Sequence, residues 1–441
     1  MRTLRVCSIA VLSGLLCGSS AILLAQQPQQ QQKLNRADLE RSHMMLRQAY
    51  DDVKKNYYDP KYHEVDLDGT YRRFDAALDT VKSNSEAFRV IAGYLINLHD
   101  SHTFFMPPPH VNRSVRGFHI EMVGDACFVT RVRPSSDAAA KLRVGDQVLA
   151  VNGLKIKRAD FDTIQYLFQI ISPSSMQQLI VQGPSGERRQ EFIHSAIHQG
   201  KATLDLSDGA NDNDFWKLVR DEETEAHLDR ERTVDAGDTF IWKMPQFNAS
   251  TDTITTVFSK ARKHKTRILD LRGNPGGAVD TLKDMLGNVF DHDIKLGDRV
   301  TRKNSKPEMA KTFGRSIFTG KLIVLINSES ASAAEIFARV IQIEHRGTVL
   351  GDRSAGAVME ARHYDESVGV DYKVFYGFSI TSADLVMTDG KSLEGTGVTP
   401  DEMMLPTATD LAEGKDPVLS HAAELAGAKL DPVARGQTLS V

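Results

Sequence analysis

One segment of the chain, residues 322–338, constrains its fold more than any other. Five apolar residues, Leu322 to Ile326, have the composition of a buried strand, and a short polar turn follows them. Small residues then open a helix whose apolar positions include Ile336, Phe337 and Val340. A buried strand that passes through a tight turn into a helix predicts an α/β architecture, in which helices cover a sheet.

The same segment places a serine hydroxyl, that of Ser332, at the junction between strand and helix. The first amides of a helix can stabilise an oxyanion, so acyl-transfer chemistry is physically favoured at such a position. The alternative is that Ser328, Ser330 and Ser332 are ordinary turn and helix-capping serines. This segment alone does not decide between the two interpretations.

Length and composition bound the kind of protein. A chain of 441 residues has room for two or three domains, and 25% charged with 41% hydrophobic residues is ordinary for a globular protein. The formal net charge is -4. Because a nucleic-acid-binding domain is usually strongly basic, no nucleic-acid partner is expected.

The first 25 residues have the pattern of a secretory signal. Arg2 and Arg5 precede the apolar run Val6 to Ala25, so we expect export, with cleavage near Ala25. The alternative is an uncleaved N-terminal membrane anchor, since a run of about twenty apolar residues can span a bilayer. We therefore predict a periplasmic or secreted protein with no stable membrane span after cleavage. The Gln-rich residues 26–33 are expected to be a spacer.

The cysteines give no basis for an intrachain disulfide. Cys7 and Cys17 lie inside the expected signal, so only Cys127 remains in the mature chain and no intrachain disulfide can form. Cys127 lies in an apolar strand pattern and is expected to be a core residue. No cofactor is indicated, and although His99 and His102 are three residues apart, no third ligand suggests a metal site.

Apolar periodicity and composition divide the rest of the chain. Residues 34–110 show helical patterns and predict a small helical domain. Residues 198–236 are polar and suggest a linker, and residues 237–410 alternate strands and helices in an α/β core with partly parallel strands. Residues 411–441 are expected to form a C-terminal helix and a tail.

Residues 113–197 form a compact strand-rich unit that resembles a PDZ domain. The resemblance rests on the segment Gly145 to Gly153, which reads Gly-Asp-Gln-Val-Leu-Ala-Val-Asn-Gly. In such domains an extended peptide adds a strand to a sheet edge, and a loop binds its terminal carboxylate. The residues that the resemblance implies for peptide binding are Arg116, Gly117, Phe118, His119 and Ile120. The alternative is a small β domain that only packs on the core.

Three further segments carry groups suited to catalysis. A glycine-rich turn that includes Gly276 and Gly277 follows the strand ending near Leu271, and its amides can face a ligand because no side chain intervenes. His102 can accept and return a proton. Glu394 precedes another glycine-rich turn and on its own would be an ordinary surface carboxylate.

Together these segments resemble the C-terminal processing, or tail-specific, serine peptidases and the related tricorn core protease. The resemblance covers most of the chain after residue 25, and its motifs occur in the family's order. They are the PDZ-like unit and residues 98–103, 269–277, 330–335, 351–357 and 394–401.

The chain departs from the PDZ-containing members of that family at one position. Those peptidases use a serine–lysine dyad, and the position of the lysine is occupied here by Ala357. A missing amine cannot be the base. Lys391 could in principle replace it, and this alternative stays open.

The tricorn-like branch instead uses a serine, a histidine, a second serine and a glutamate. By resemblance, Ser332 is the nucleophile, His102 is the general base, and Ser101 with Glu394 forms an orienting relay. The resemblance also implies an oxyanion hole made by the amides of Ala333 and of one of two glycines, Gly276 or Gly277.

The sequence therefore predicts an α/β multidomain protein with an N-terminal helical domain, a PDZ-like β-rich domain and an α/β sandwich catalytic core. Its expected function is that of an exported serine endopeptidase that cleaves peptides or unfolded protein chains. The alternatives are an inactive relative that binds peptides or other ligands, and a hydrolase of small esters on the same scaffold. The oligomeric state and the physiological substrate are not predicted.

Overall fold

The computed structural model describes residues 34–109, 112–199, 231–369 and 373–428. The expected signal (1–25), the spacer (26–33), most of the expected linker and the end of the expected tail lie outside the described residues. In the described part of the chain, no helix combines the length and the apolar character needed to cross a membrane.

Three helices form the N-terminal unit, and each begins at a side-chain cap. Asn35, Asp66 and Ser83 accept hydrogen bonds from the first turns of these helices, which satisfies backbone donors that have no partner within the helix. The predicted helical domain is confirmed. Its helices are α1 (Arg36–Asn56), α2 (Leu67–Leu78) and α3 (Asn84–Ile96).

The second unit is a β-rich domain. Its main sheet has the order β3-β4-β5-β7-β8, with β6 beside β5, while β2 pairs with β9 and β1 joins a different sheet. Cys127 is buried in the core of this unit, as expected, and burial raises the pKa of its thiol. The strands are β1 (Phe104–Met106), β2 (Asn112–Val115), β3 (Phe118–Val123), β4 (Ala126–Val132), β5 (Gln147–Val151), β6 (Leu154–Lys155), β7 (Met176–Gln182), β8 (Arg188–His194) and β9 (Ala196–Gln199). The helices are α4 (Asp137–Lys141) and α5 (Phe161–Tyr166).

Residues 231–428 form the largest unit, which contains two sheets. Its strands are β10 (Arg232–Ala236), β11 (Thr239–Lys243), β12 (Thr266–Asp270), β13 (Ile294–Thr301), β14 (Ser305–Ala310), β15 (Lys321–Ile326), β16 (Thr348–Gly351), β17 (Met359–Val368), β18 (Val374–Met387) and β19 (Glu402–Met403). Its helices are α6 (Thr251–Ala261), α7 (Val279–Gly287), α8 (Ala333–Ile343), α9 (Ala408–Ala412) and α10 (Pro417–Leu425).

The first sheet of this unit is the expected α/β core. Its order is β10-β11-β12-β15-β16-β19, and every pair except β10–β11 is parallel. Strands β11 and β12 are buried at every residue, as expected for a parallel sheet with both faces covered. Helices α6, α7 and α8 pack on one face, and α10 packs on the other.

The second sheet is antiparallel and was not predicted as a separate layer. Strand β18 pairs with β1 and β13 and also with β17, and β13 continues to β14. Its residues Phe378 and Ile380 share an apolar cluster with α1, α3 and Phe105. The second sheet therefore connects the helical unit to the core.

One boundary of the sequence interpretation is wrong at the level of secondary structure. Residues 232–236 were assigned to the linker, but Arg232–Ala236 is strand β10, which pairs with β11 across a tight turn.

Candidate active site

Ser332 lies at the tip of the turn that joins β15 to α8. It is the residue that precedes α8, and its backbone has φ +53° and ψ -118°, a conformation that a residue with a side chain rarely adopts. The turn is held from below, because the Ser330 hydroxyl donates to the Leu271 carbonyl (2.8 Å) and accepts from the Asn327 N–H (3.0 Å). Such strain is found where the surroundings fix a functional side chain in place.

The glycine-rich turn after β12 lies directly against this serine. A Cβ atom on Gly276 would lie 2.6 Å from the Ser332 Cβ, so only glycine fits there. The Ala331 N–H donates to the Asn274 carbonyl (2.9 Å), which connects the two turns. The expected proximity of the glycine-rich segment to Ser332 is therefore present.

Of the two glycines, one already has an acceptor for its amide. The Gly276 N–H donates to Asn274 Oδ1 at 2.8 Å, within the glycine-rich turn itself. Within the described residues, no acceptor engages the N–H of Gly277 or the N–H of Ala333, the first residue of α8. These two amides are the ones that remain for a ligand.

His102, Ser101 and Glu394 are joined by hydrogen bonds, although Glu394 is 293 residues distant from Ser101 in sequence. The Ser101 hydroxyl lies 2.7 Å from His102 Nδ1 and donates to Glu394 Oε2 at 3.0 Å. The Ser101 N–H donates to Glu394 Oε1 at 2.6 Å. Since the hydroxyl hydrogen points at the carboxylate, the hydroxyl oxygen accepts from Nδ1–H, and Nε2 is the unprotonated nitrogen of the neutral ring.

Burial shifts the titration of both ionisable members of this group. It lowers the pKa of His102 below its ordinary value of 6.5, and the Asp100 carboxylate opposes that shift. Burial raises the pKa of Glu394, and hydrogen bonds from Val358 and Ser101 oppose it. A neutral histidine near neutral pH is the form that can accept a proton.

The segment 354–358 connects this group to the turn that carries Ser332. The Ser332 N–H donates to the Ala357 carbonyl (2.9 Å), and the next amide along, that of Val358, donates to Glu394 Oε2 (2.8 Å). Ala357 stands where the lysine of a serine–lysine dyad would stand, and its backbone makes these contacts. Lys391 is exposed in the turn after β18, where the Met387 N–H donates to its carbonyl.

Sequence reasoning missed two carboxylates that contact this site. Asp100 accepts hydrogen bonds from the His102 N–H (3.0 Å), the Thr381 hydroxyl (2.7 Å) and the Tyr57 hydroxyl (2.6 Å), so it fixes the backbone beside the histidine. Glu335 accepts from four donors, one of which is the Ser332 N–H. A signal for Glu335 was available, since a serine followed three residues later by glutamate is the spacing of a capping box.

The residues expected to bind a peptide lie in the first half of β3 and directly before it. Within the described strands, β3 pairs only with β4, so it is an edge of the sheet. Phe118 and Ile120 are buried in the apolar interior of the β-rich domain. His119 Nε2 lies 2.9 Å from Oε1 of Glu329, which belongs to the α/β core. The Arg116 guanidinium lies over the Phe118 ring and donates to Gln165 Oε1, so it spans from the strand to the end of α5. Gly117 has φ +77° and packs against Ser136.

Comparison with protein families agrees with this organisation. Residues 240–404 match the model of peptidase family S41, residues 40–95 match the tricorn protease C1 domain, and residues 106–169 match the PDZ domain. The fold and these matches define a serine-type peptidase. The resemblance to the C-terminal processing peptidases is confirmed, because the chain combines a peptidase family S41 domain with a PDZ domain and a tricorn C1 domain.

Two relatives are carboxyl-terminal processing proteases by name. The chain is 24% identical over 392 residues to carboxyl-terminal-processing peptidase 1, chloroplastic, of Arabidopsis thaliana, which covers 84% of this chain and 73% of that protein. It is 24% identical to the carboxy-terminal processing protease CtpA of Bacillus subtilis, over 80% of this chain and 67% of that protein.

Solved structures with a similar fold include two proteases. Mature CPAF complexed with lactacystin aligns over 85% of this chain and 95% of that chain, with a TM-score of 0.64 and 16% identity. The photosystem II D1 C-terminal processing protease aligns over 89% of this chain and 99% of that chain, with a TM-score of 0.52 and 17% identity. At these identities the likeness concerns the fold alone.

Proposed function

We propose that this peptidase hydrolyses peptide bonds with Ser332 as nucleophile, His102 as general base, and Ser101 with Glu394 as an orienting relay, as in the tricorn-like branch. One observation carries the proposal. A continuous hydrogen-bonded path runs from His102 Nδ1 through the Ser101 hydroxyl to Glu394, and from Glu394 through Val358 and Ala357 to the backbone of Ser332.

The roles follow from the hydrogen bonds. Because Nδ1–H faces Ser101, Nε2 is the basic nitrogen that takes the Ser332 proton as the hydroxyl attacks the scissile carbonyl. The imidazolium that forms then gives this proton to the leaving amine. Glu394 stabilises the imidazolium through the polarised Ser101 hydroxyl.

The oxyanion of the tetrahedral intermediate is assigned to the amides of Gly277 and Ala333. Gly277 follows Gly276, which packs against Ser332, and the Ala333 amide is at the N-terminus of α8, where the helix dipole favours negative charge. The serine–lysine alternative has less support. The side chain of Ala357 has no amine. Lys391 is exposed, and its backbone N–H donates to the side chain of Asp389 in the same turn.

The substrate is proposed to be a peptide or an unfolded protein chain whose C-terminal segment is engaged by the PDZ domain. The support is the edge strand β3, preceded by Gly117 in a left-handed conformation and by the Arg116 guanidinium. An extended peptide can pair with such an edge, and a cation near its end suits a terminal carboxylate.

Export to the periplasm or the cell exterior is also proposed. The support is the N-terminal sequence, in which two arginines precede an apolar run ending near Ala25. Fractionation of cells that express the full chain, followed by N-terminal sequencing of the product, tests this point. A mature protein that keeps residues 1–25 in the cytosolic fraction would refute it.

Hydrolysis of an unfolded protein substrate by Ser332→Ala tests the catalytic assignment. We expect turnover to fall to the uncatalysed background while the circular dichroism spectrum stays unchanged. Ser259→Ala is a matched control, because Ser259 is an exposed serine of α6. Undiminished hydrolysis by folded Ser332→Ala would remove Ser332 from the mechanism, and binding without any turnover by the wild type would favour an inactive relative.

A further inference from the structure

A buried carboxylate lies three residues after Ser332 and is not a member of the proposed catalytic group. The side chain of Glu335 is completely buried. Oε1 accepts hydrogen bonds from the Ser354 hydroxyl (2.5 Å) and the Gly356 N–H (2.7 Å). Oε2 accepts from the Ala357 N–H (2.9 Å) and the Ser332 N–H (3.0 Å). Glu335 is therefore the acceptor in all four of its hydrogen bonds.

These four donors belong to the two segments that the proposed mechanism requires to stay together. The Ser332 amide is part of the nucleophile turn, and the other three belong to residues 354–357. The amide that follows them, that of Val358, donates to the relay carboxylate Glu394. Three consecutive amides, from Gly356 to Val358, are thus divided between Glu335 and Glu394.

Helix capping explains only part of this arrangement. A glutamate at this position of a helix needs to accept just one hydrogen bond, from the amide of the capping residue, to satisfy the backbone. The other three donors lie 19 to 22 residues further along the chain and make no contribution to the helix. Burial of a carboxylate is costly, so a second role has to offset that cost.

We propose that Glu335 is a positioning residue, whose ionised carboxylate holds the nucleophile turn against residues 354–357 and so sets the place of Ser332 relative to the relay. This inference rests on the proposed function of Ser332. The groups that the carboxylate binds are three of the protein's own backbone amides and the Ser354 hydroxyl.

The ionised form is required for a geometric reason. An ionised carboxylate only accepts, and all four neighbours donate to it. A protonated carboxyl must donate its own hydrogen, which would face an N–H or the Ser354 hydroxyl. That hydroxyl also accepts from the Val398 N–H at 2.6 Å, and it can accept from a protonated carboxyl only if its own hydrogen turns away from Glu335. Protonation therefore removes at least one of the four hydrogen bonds that Glu335 accepts.

The surroundings of Glu335 set the pH at which this happens. Burial raises the pKa of Glu335 to about 7, and the four hydrogen bonds act against that rise. The charged side chains on the neighbouring elements are paired with other groups. These pairs are Asp352 with Arg158, Arg353 with Asp125, Glu394 with Ser101, Arg339 with Asp389, Glu329 with His119, and Lys283 with Glu308.

The test compares Glu335→Gln with wild type in steady-state hydrolysis from pH 5 to pH 9. The amide keeps the size of the side chain but turns one acceptor into a donor. We expect kcat to fall about 10- to 100-fold, the range that a misplaced nucleophile causes, with KM little changed. We also expect the wild-type acid limb of kcat near pH 7 to disappear in the variant, leaving the limb of His102 at lower pH. Glu344→Gln, an exposed position at the other end of α8, is the matched control.

The outcomes separate this inference from the proposed function. Equal kcat and the same acid limb in wild type and Glu335→Gln would overturn the role of Glu335 while leaving Ser332 as nucleophile. Wild-type turnover that survives Ser332→Ala would instead remove the proposed function itself. If Glu335→Gln does not fold, Ser354→Ala serves, because it removes one donor that stabilises the ionised form. We expect that variant to move the acid limb to higher pH, and an unmoved limb would also overturn the inference.

Discussion

Two residues of the candidate site, Ser332 and Gly276, have unusual backbone conformations. Ser332 itself has a positive φ of +53°, and Gly276 has φ +97° with no room for a side chain. Residues with side chains disfavour this region by about 1–3 kcal/mol, so the conformation persists only because hydrogen bonds around it fix the turn.

Gly276→Ala is expected to abolish hydrolysis without unfolding the protein. The new methyl group would lie 2.6 Å from the Ser332 Cβ and 2.9 Å from the Ala331 carbonyl oxygen, so the nucleophile turn must shift. A shift of about 1 Å costs roughly 100-fold in rate. The rate of hydrolysis and the thermal midpoint should be measured together.

Gly237→Ala is the control for the backbone effect alone, because Gly237 also has a positive φ but an added Cβ would meet nothing within 4 Å. Both variants pay for the positive φ, and only Gly276→Ala should lose activity. Full activity in Gly276→Ala would show that the glycine turn does not constrain Ser332.

At this scale the sequence predicted the identities of the residues better than their contacts. Ser101, His102 and Glu394 are joined as the motifs implied, because each motif fixes a local turn. The choice between the amides of Gly276 and Gly277 was left open by the sequence, and the structure shows that the Asn274 side chain accepts from the Gly276 N–H. The contacts of Asp100 with the hydroxyls of Tyr57 and Thr381 could not be predicted, because these donors come from distant parts of the chain, whereas the capping-box spacing of Glu335 was visible in the sequence.

At the scale of elements, one arginine of the PDZ domain, Arg158, contacts two consecutive residues of the core. Arg158 donates to the Gly124 carbonyl, to Asp352 Oδ2 and to the Arg353 carbonyl. The Gly124 N–H also donates to Asp352 Oδ2. Asp352 follows β16 directly, so the end of a core strand carries the domain contact.

Arg158→Ala is expected to loosen this contact and to destabilise the protein by about 2–3 kcal/mol, since it leaves the buried Asp352 carboxylate without its cation. Urea unfolding monitored by tryptophan fluorescence measures the change. Arg188→Ala is the control, because Arg188 is an exposed residue of β8. An unchanged unfolding midpoint in Arg158→Ala would mean that the ion pair does not hold the domains together.

The sequence predicted the parallel sheet more fully than the antiparallel one. Strand β15 contains a continuous apolar run, and β11 and β12 contain shorter ones, Phe240–Trp242 and Ile268–Leu269, each strand being followed by a helix. Strand β17 is mostly polar and lies at an edge of the described sheet, so its apolar signal is weak. Its partner β18 shows its full length only when the distant strand β13 is placed beside it.

At the scale of the whole molecule, four apolar clusters divide the work of stabilisation. Two cover the opposite faces of the parallel sheet, one lies inside the PDZ domain, and one joins the helical unit to the antiparallel sheet. The proposed catalytic group lies where these units meet. His102 follows the helical unit, Ser332 comes from the parallel sheet, and Glu394 follows the antiparallel sheet.

Protonation of Glu335 is expected to stabilise the fold and to lower the activity. The pKa of Glu335 is raised by burial from 4.5 to about 7, so the folded protein holds a proton there that the unfolded chain has lost. The contribution of Glu335 to stability is therefore complete below about pH 4.5 and is lost as the pH rises to about 7. The loss amounts to about 3 kcal/mol.

The free energy of unfolding of wild type minus that of Glu335→Gln should thus fall between pH 4.5 and pH 7. Denaturant titrations of both proteins at several pH values measure this difference, and subtraction removes the titration of all other groups. A difference that is constant with pH, or that rises, would contradict the assigned burial of the carboxylate.

The most direct test of the account is labelling of the purified protein with a fluorophosphonate, mapped by mass spectrometry, in wild type, His102→Ala and Lys391→Ala. We expect label on Ser332 in wild type and in Lys391→Ala, and no label in His102→Ala. Label that survives His102→Ala but disappears in Lys391→Ala would contradict it and would identify a relocated serine–lysine dyad instead.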